Sequence, residues 1–297
     1  MKILINRKPV AGPWGGGNLF VKSFCDFMIS RGHQITHSME QDIDLIFMQD
    51  PRYSELGISV REIAAYKAQF PNTRVVHRVN ECDARKGTHD MDFLLRECSK
   101  ITDATIFVSH WMKDYHVKKG WFCTNTPVVY NGTNTDHFKP REKIDNGKIN
   151  LVTHHWSDNP MKGADVYDFL DEWIADNEDY TFTYIGRYKK RFKNSRLLPP
   201  LAEEDLGKEL SKYDVYVSGS RFDPGPNHII ESIACGLPTL VHHEGGGAVE
   251  FAGPKFSFKN QEELVSLIHN IPDSSNNLAP ITWEACMSNV LGVLESL

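Results

Sequence analysis

Short apolar runs alternate along the chain with longer stretches whose apolar positions fall three or four residues apart. The first pattern fits strands buried on both faces, and the second fits amphipathic helices. In the first half, strands are predicted at residues 2–6, 43–48, 74–79, 104–108 and 126–130, with another beginning at 34–37. Helices are predicted at 19–30, 60–68, 92–99 and, capped by Ser109, on to about 118. In the second half, strands fall at 150–153, 181–185, 213–217 and 239–241. Helices fall at 164–175, 203–212, about 227–235 and 261–270, and a closing helix starts at 281–284, with Thr282 as cap, and runs to 297. Strand followed by helix, repeated, is the pattern of a parallel sheet with right-handed crossovers.

Two connections in this pattern are rich in glycine. Gly12-Pro13-Trp14-Gly15-Gly16-Gly17-Asn18 joins the first strand to the first helix, and a plain turn is one reading of it. The second connection lies in residues 218–247, SGSRFDPGPNHIIESIACGLPTLVHHEGGG. Here a strand leads into a Gly/Pro loop, then a helix ended by Gly236 and Pro238. Strand, glycine loop and helix N-terminus form a ready anion site, because backbone N–H groups and the helix dipole face the loop. Ser220 and Asn227 can cap or line it. Pro224 and Pro226 offer no N–H, which leaves Gly225, Asn227 and His228 as the backbone donors. Asp223 in the loop and Glu231 in the helix can both face one pocket at the carboxyl end of the sheet. An ordinary strand–helix unit with two surface acids is the plainer alternative.

Composition narrows the class. The 297 residues suit two domains of ordinary size. A net charge of −6 argues against a nucleic-acid binder held by bulk charge. Six scattered cysteines without a C-x-x-C pair fit reduced thiols, and neither a secretory signal nor a membrane span is expected. The chain is therefore expected to be cytoplasmic. One run, RYKKRFKNSR at 187–196, is strongly basic and reads as a solvated loop or as a surface for phosphate-bearing acceptors or a membrane.

Several motifs together resemble the retaining glycosyltransferases of family 4. Asp223 and Glu231 are separated by seven residues and are followed by Ala234-Cys235-Gly236-Leu237-Pro238, similar to that family's donor-sugar motif. The family's first acid is usually Glu; here it is Asp, one methylene shorter. Lys162-Gly163 before a helix resembles its diphosphate-binding lysine element, and Gly245-Gly246-Gly247 with Glu250 resembles its GG-x-x-E turn. The stretch from Asn131-Gly132 to Phe138 and Pro140 resembles the interdomain signature, and Trp283 opens a helix like the family's closing one. The arginine that family members carry shortly before the lysine is absent; Arg187 and Arg221 are the substitute candidates.

The resemblance implies an α/β chain of the GT-B fold: two Rossmann-like, doubly wound parallel-sheet domains facing each other across a cleft. Residues 1–140 would form the acceptor domain, 141–149 a linker, 150–280 the nucleotide-sugar domain, and 281–297 a helix packing back across the junction. It implies Asp223, Lys162 and Glu231 as catalytic residues. Gly16, Gly17, Arg187, Arg221, Gly225, Asn227 and His228 would join them in holding the donor. Asn18, Asn80 and His77 are the acceptor-side candidates, and the polar loop carrying Arg78, Asn80, Glu81, Asp83, Arg85 and Lys86 either lines the cleft or is simply solvated. Asp42-Ile43-Asp44 resembles a D-x-D metal motif, but its acids flank the start of a strand and read as structural. No metal or other cofactor is expected. The expected reaction moves a sugar from a UDP- or GDP-sugar to a glycan, lipid or small-molecule acceptor with retention of configuration. A non-catalytic nucleotide-sugar binding module and a sugar-nucleotide epimerase are the rivals.

Overall fold

In this computed structural model the described residues are all but 11–14, 56, 273–275 and 277. Two compact units divide the chain. The first comprises Met1–Asp83, Gly87–Asn131 and Trp283–Leu297; the second comprises Ala84–Lys86 and Gly132–Thr282.

The first unit is built on five parallel strands: β1 (Lys2–Ile5), β2 (Gln34–Thr36), β3 (Leu45–Met48), β4 (Arg74–Val79) and β5 (Ala104–Phe107). They lie in the order β2-β1-β3-β4-β5. Register runs straight across the middle of the sheet, Ile3 opposite Leu45, and Leu45 opposite Arg74. The three central strands are buried nearly throughout, as runs without polar alternation require. Phe24 packs on Phe47 with ring centroids 4.4 Å apart, and Phe20 meets Trp283 edge-on at 6.4 Å. The closing helix Trp283–Glu295 thus belongs to this unit.

The second unit has six parallel strands: β6 (Ile149–His155), β7 (Tyr180–Gly186), β8 (Arg196–Leu198), β9 (Val215–Ser218), β10 (Thr239–His242) and β11 (Ser257–Phe258), in the order β11-β10-β9-β6-β7-β8. In each sheet the strand order reverses once, between β1 and β3 in the first and between β6 and β9 in the second. Such switch points leave a crevice at the carboxyl ends of the strands.

Four details differ from the sequence-based expectations. The unit boundary falls at Asn131–Gly132, not at 140, because the following residues bond within the second unit. Thr133 N–H donates to Ile281 O at 2.8 Å, Arg141 Nη1 to Gly207 O at 2.9 Å, and Ile144 N–H to Lys212 O at 2.8 Å. Residues 141–149 are accordingly not a free linker. Residues 126–130 form a single bridge, Phe107 with Val128, instead of a strand. The first helix, Gly16–Ser30, starts three residues early, so Gly16, Gly17 and Asn18 occupy its first turn; residues 12–14 of the expected loop lie outside the described residues. The basic run ends in edge strand β8 and is anchored: Asp171 accepts backbone N–H groups from Lys193, Asn194 and Ser195, and Lys190 pairs with Asp168.

Candidate functional site

Strand β6 ends in two histidines, and the chain then makes a short 3-10 turn, Pro160–Lys162, capped by Asn159, whose side chain accepts from Met161 N–H at 2.8 Å. Gly163 follows at φ +84, a left-handed conformation that side chains with a Cβ rarely adopt. A Cβ there would lie 2.2 Å from Gly219 O. The helix Ala164–Trp173 therefore starts hard against the end of β9, which fixes Lys162 at the switch point.

The loop after β9 is held from two sides. Arg221 N–H donates to Met161 O at 2.8 Å; Phe222 and Asp223 N–H donate to Glu244 O and Gly245 O at 2.7 and 3.2 Å; Gly247 N–H donates to Asp223 O at 2.8 Å. Gly246, at φ +68, lies so close that a Cβ would sit 2.8 Å from Asp223 O. The glycine turn at 245–247 is thus the clamp that sets Asp223. The helix Asn227–Ala234 follows and ends in a glycine cap: Gly236 N–H reaches Ile233 O and Leu237 N–H reaches Ser232 O, with Gly236 at φ +77. Its N-cap is Pro226, with no side-chain cap, so neither Asn227 nor Ser220 caps it. Asn227 is its first residue, and Ser220 Oγ is buried without a hydrogen-bond partner among the described residues.

These constraints converge on Asp223, which is 7% exposed. Lys162 Nζ donates to Asp223 Oδ2 at 3.0 Å, and Arg85 Nη2 reaches the same oxygen at 2.9 Å. Arg85 Nη1 donates to the carbonyls of Met161 and Arg221, both at 2.9 Å. Burial alone would raise the Asp223 carboxyl, but Arg85 and Lys162 together hold it below the usual carboxylate range. Burial pulls the Lys162 ammonium below its usual value, against the pull of Asp223. His155 and His228 meet edge-on beside this group with centroids 4.8 Å apart, and burial, backed by nearby positive charges, keeps both well below the usual imidazole value. Two cations thus share one carboxylate, and the adjoining histidines add no charge at neutral pH.

Glu231 projects from the helix, where His154 Nε2 meets its Oε2 at 2.8 Å. Its Oε1 has no bond among the described residues, and neither does Asp223 Oδ1. Gly225 and Asn227 sit half-buried in the same turn, and His228 bonds Ser218 Oγ at 3.0 Å.

The two substitute cations point elsewhere. Arg187 is exposed, with its guanidinium 4.3 Å above Trp156. Arg221 makes a two-pronged pair with Asp165 at 2.9 and 2.7 Å and lies 3.7 Å from Glu244. The second cation at Asp223 is Arg85. The sequence places it only in the polar loop after β4, far along the chain from Asp223, and its one signal there is the basic pair Arg85-Lys86.

In the first unit, Gly17, Asn18 and Asn80 line one cavity of about 280 Å³. The Asn18 side chain is tied to the backbone of Val10, at 2.7 and 2.9 Å. Gly16 is exposed at the helix start. His77 is not available to a ligand: it lies inside β4, 0% exposed, because its strand position turns it into the packed layer. Asp44 serves as a structural acid, accepting the Lys2 N–H at 2.6 Å. Among the described residues no three His, Cys, Asp or Glu side chains are grouped to hold a metal ion, and no helix is long and apolar enough to cross a membrane.

No protein-family model matches the chain, and no curated protein matches its sequence. Solved structures do match its shape. Sucrose-phosphate synthase from Thermosynechococcus elongatus superposes with a TM-score of 0.73 at 15% identity, over 99% of this chain and 98% of that one. HepE from Anabaena, solved with UDP and glucose, gives 0.72 at 14% identity over the whole of both chains. WaaG, a glycosyltransferase involved in lipopolysaccharide biosynthesis, gives 0.60 at 14% identity over 100% and 96%. With two parallel α/β sheets and these neighbours, the chain has the GT-B fold of glycosyltransferases.

Proposed function

We propose that this protein is a retaining glycosyltransferase of the family 4 kind, moving a sugar from a UDP- or GDP-sugar to a glycan, lipid or small-molecule acceptor without a metal. The observation that carries this is the pair of buried cations, Arg85 and Lys162, on the single carboxylate of Asp223. One positive charge is left over beside a glycine loop and a helix start, and a buried charge is costly until an anion joins it. A nucleoside diphosphate is such an anion, and HepE, a neighbour in fold, was solved with UDP and with UDP-glucose.

In this reading Lys162 and Arg85 stabilise the negative charge that grows on the diphosphate as its bond to the sugar carbon breaks. The acceptor hydroxyl attacks from the same face, and its proton passes to the departing phosphate oxygen. Asp223 Oδ1 accepts from a sugar hydroxyl, and Glu231 Oε1 from a ribose hydroxyl, since an ionised carboxylate is an acceptor only. His154 holds Glu231 in position. The protein works in the cytoplasm, free or touching a membrane surface.

The test is incubation with UDP-glucose and with GDP-mannose in the presence of EDTA, followed by NMR of the product. Sugar release or transfer that survives EDTA, with the donor's anomeric configuration kept, is expected. Activity that needs added Mg²⁺, or an inverted product, would contradict the proposal. Calorimetry separates the acids: Glu231→Gln weakens UDP itself by about 1–3 kcal/mol if a buried hydroxyl loses its partner, whereas Asp223→Asn, which takes the countercharge from Arg85 and Lys162, does not weaken UDP and alters sugar choice or turnover.

A further inference from the structure

The cavity of the first unit sits where its strand order reverses, at the carboxyl ends of β1, β3 and β4. Its 280 Å³ is near the lower end for small-molecule sites, about 300 Å³ and upward. That leaves room for a group the size of one monosaccharide. Its charged lining consists of Arg7, Lys8, Asp50, Arg52, Arg78 and Glu81, four cations against two acids.

Two of the cations are already engaged. Arg52 makes a two-pronged pair with Asp50 at 2.9 and 2.7 Å, and Arg7 approaches the same carboxylate at 3.5 Å. Glu81 Oε1 accepts the Cys82 N–H at 3.3 Å. Arg78 is different. It is 2% exposed, and its partners are all neutral: Asn131 Oδ1 at 2.5 Å, Gln49 Oε1 at 3.4 Å, and the Phe20 ring, whose centroid lies 3.8 Å from the guanidinium carbon. Among the described residues no carboxylate lies within ion-pair distance of it. Burial pulls the guanidinium down to about 10, in line with its lack of a carboxylate partner. Were Arg78 only a packing element between the first helix and β4, an apolar side chain would fill the space without that penalty. Lys8 is exposed and makes no ion pair among the described residues. The helix start beside the cavity carries no acidic residue in its first turn, so its dipole adds to the positive field.

We propose that this cavity receives an oxyanion, a carboxylate or a phosphate, carried by the acceptor sugar, with Arg78 beneath it and Lys8 at its rim. The planar fork of an arginine suits either anion. This rests on the glycosyl-transfer reading above and names its acceptor class.

The test is calorimetric titration of glucose, glucuronate and glucose 6-phosphate into the full chain, with UDP and GDP titrated into the same samples. At least one of the two anionic sugars is expected to bind ten-fold or more tightly than glucose, and which one does so identifies the anion. Lys8→Ala should cut that preference several-fold, and Arg78→Gln should abolish it. Should Arg78→Gln not fold, Lys8→Glu takes its place and should reverse the preference. Equal binding of all three sugars, no detectable binding of any, or a preference that survives these substitutions would overturn the proposal. Titrating UDP and GDP separates the two readings: either one bound with no anion preference sinks this proposal alone, whereas no binding of UDP or of GDP sinks the glycosyltransferase reading.

Discussion

The carboxyl ends of the two sheets use glycine and charge in opposite ways. In the second unit the glycines are sterically compulsory. Gly163 and Gly219 touch backbone to backbone, and Gly246 and Gly247 lie against the Asp223–Pro224 backbone. At the start of the first unit's first helix, among the described residues, a Cβ on Gly15 would meet nothing within 4 Å and one on Gly17 only amide groups at 3.8 and 3.9 Å; Gly57, against Asn6 and Arg7, is the tightly packed exception in that unit. The charges differ as well. Arg85 and Lys162 are paired on Asp223, while among the described residues Arg78 has neutral partners alone. A site whose backbone is locked presents one fixed constellation to its ligand. A site with spare room and an unpaired cation is free to vary in what it accepts.

The largest expected effect tests the locked side. Lys162→Ala and Arg85→Ala should each lower turnover per folded molecule on the order of 10²–10³, the usual cost of one preorganised electrostatic contact; Arg85→Ala should also lower the melting temperature, because the Met161 and Arg221 carbonyls lose their donor. Near-normal turnover in both variants would remove them from the chemistry. Next comes the glycine contrast. Gly163→Ala combines a left-handed backbone with a clash and should cost about 2–5 kcal/mol in chemical denaturation. Gly17→Ala, in a helix first turn with room to spare, should be neutral or stabilising by up to about 1 kcal/mol. Equal effects would erase the distinction between the two ends.

A smaller effect comes from His77, whose two ring nitrogens are buried without partners. Burial, with His116 adding to it, lowers this imidazole to about 3. Between that value and the ordinary 6.5, the unfolded chain binds a proton that the folded chain does not. Stability is therefore lost as pH falls through this window, at up to about 1.4 kcal/mol per pH unit from this group. His77→Leu should flatten that slope between pH 4 and pH 6 by the same amount, and an unchanged slope would mean that His77 is not the group responsible. The smallest effect is expected at Arg221. Its pair with the largely exposed Asp165 should be worth at most about 1 kcal/mol, so Arg221→Ala should leave stability and turnover close to normal.

The same contrast explains what could be read from the chain. The strands β1, β3, β4, β6, β9 and β10 were legible because fully buried parallel strands are plain apolar runs. Gly163 and the triple glycine were legible because their close-packed backbones leave few residue choices, whereas Lys162, Asp223 and Glu231 stand out only through the resemblance to a family motif. Arg85 was not, since nothing local in a polar stretch states that residues 84–86 join a unit otherwise formed from 132–282. Strand β8 has little apolar signature, being three residues long, at a sheet edge, and preceded by lysines and arginines. The helix start at Gly16 was hidden by glycines, whose low helix propensity reads as a loop. The burial of His77 was masked for a related reason: in a fully buried strand no alternation marks which face a polar residue takes.

The central claim is that Arg85 and Lys162 on Asp223 form the seat of a nucleoside diphosphate. Its most direct test is calorimetric titration of UDP into the wild-type protein and into Lys162→Ala, Arg85→Ala and Arg221→Ala. UDP should bind the wild type and Arg221→Ala alike, and each of the other two variants ten-fold or more weakly. Equal affinity for all four proteins would contradict the claim.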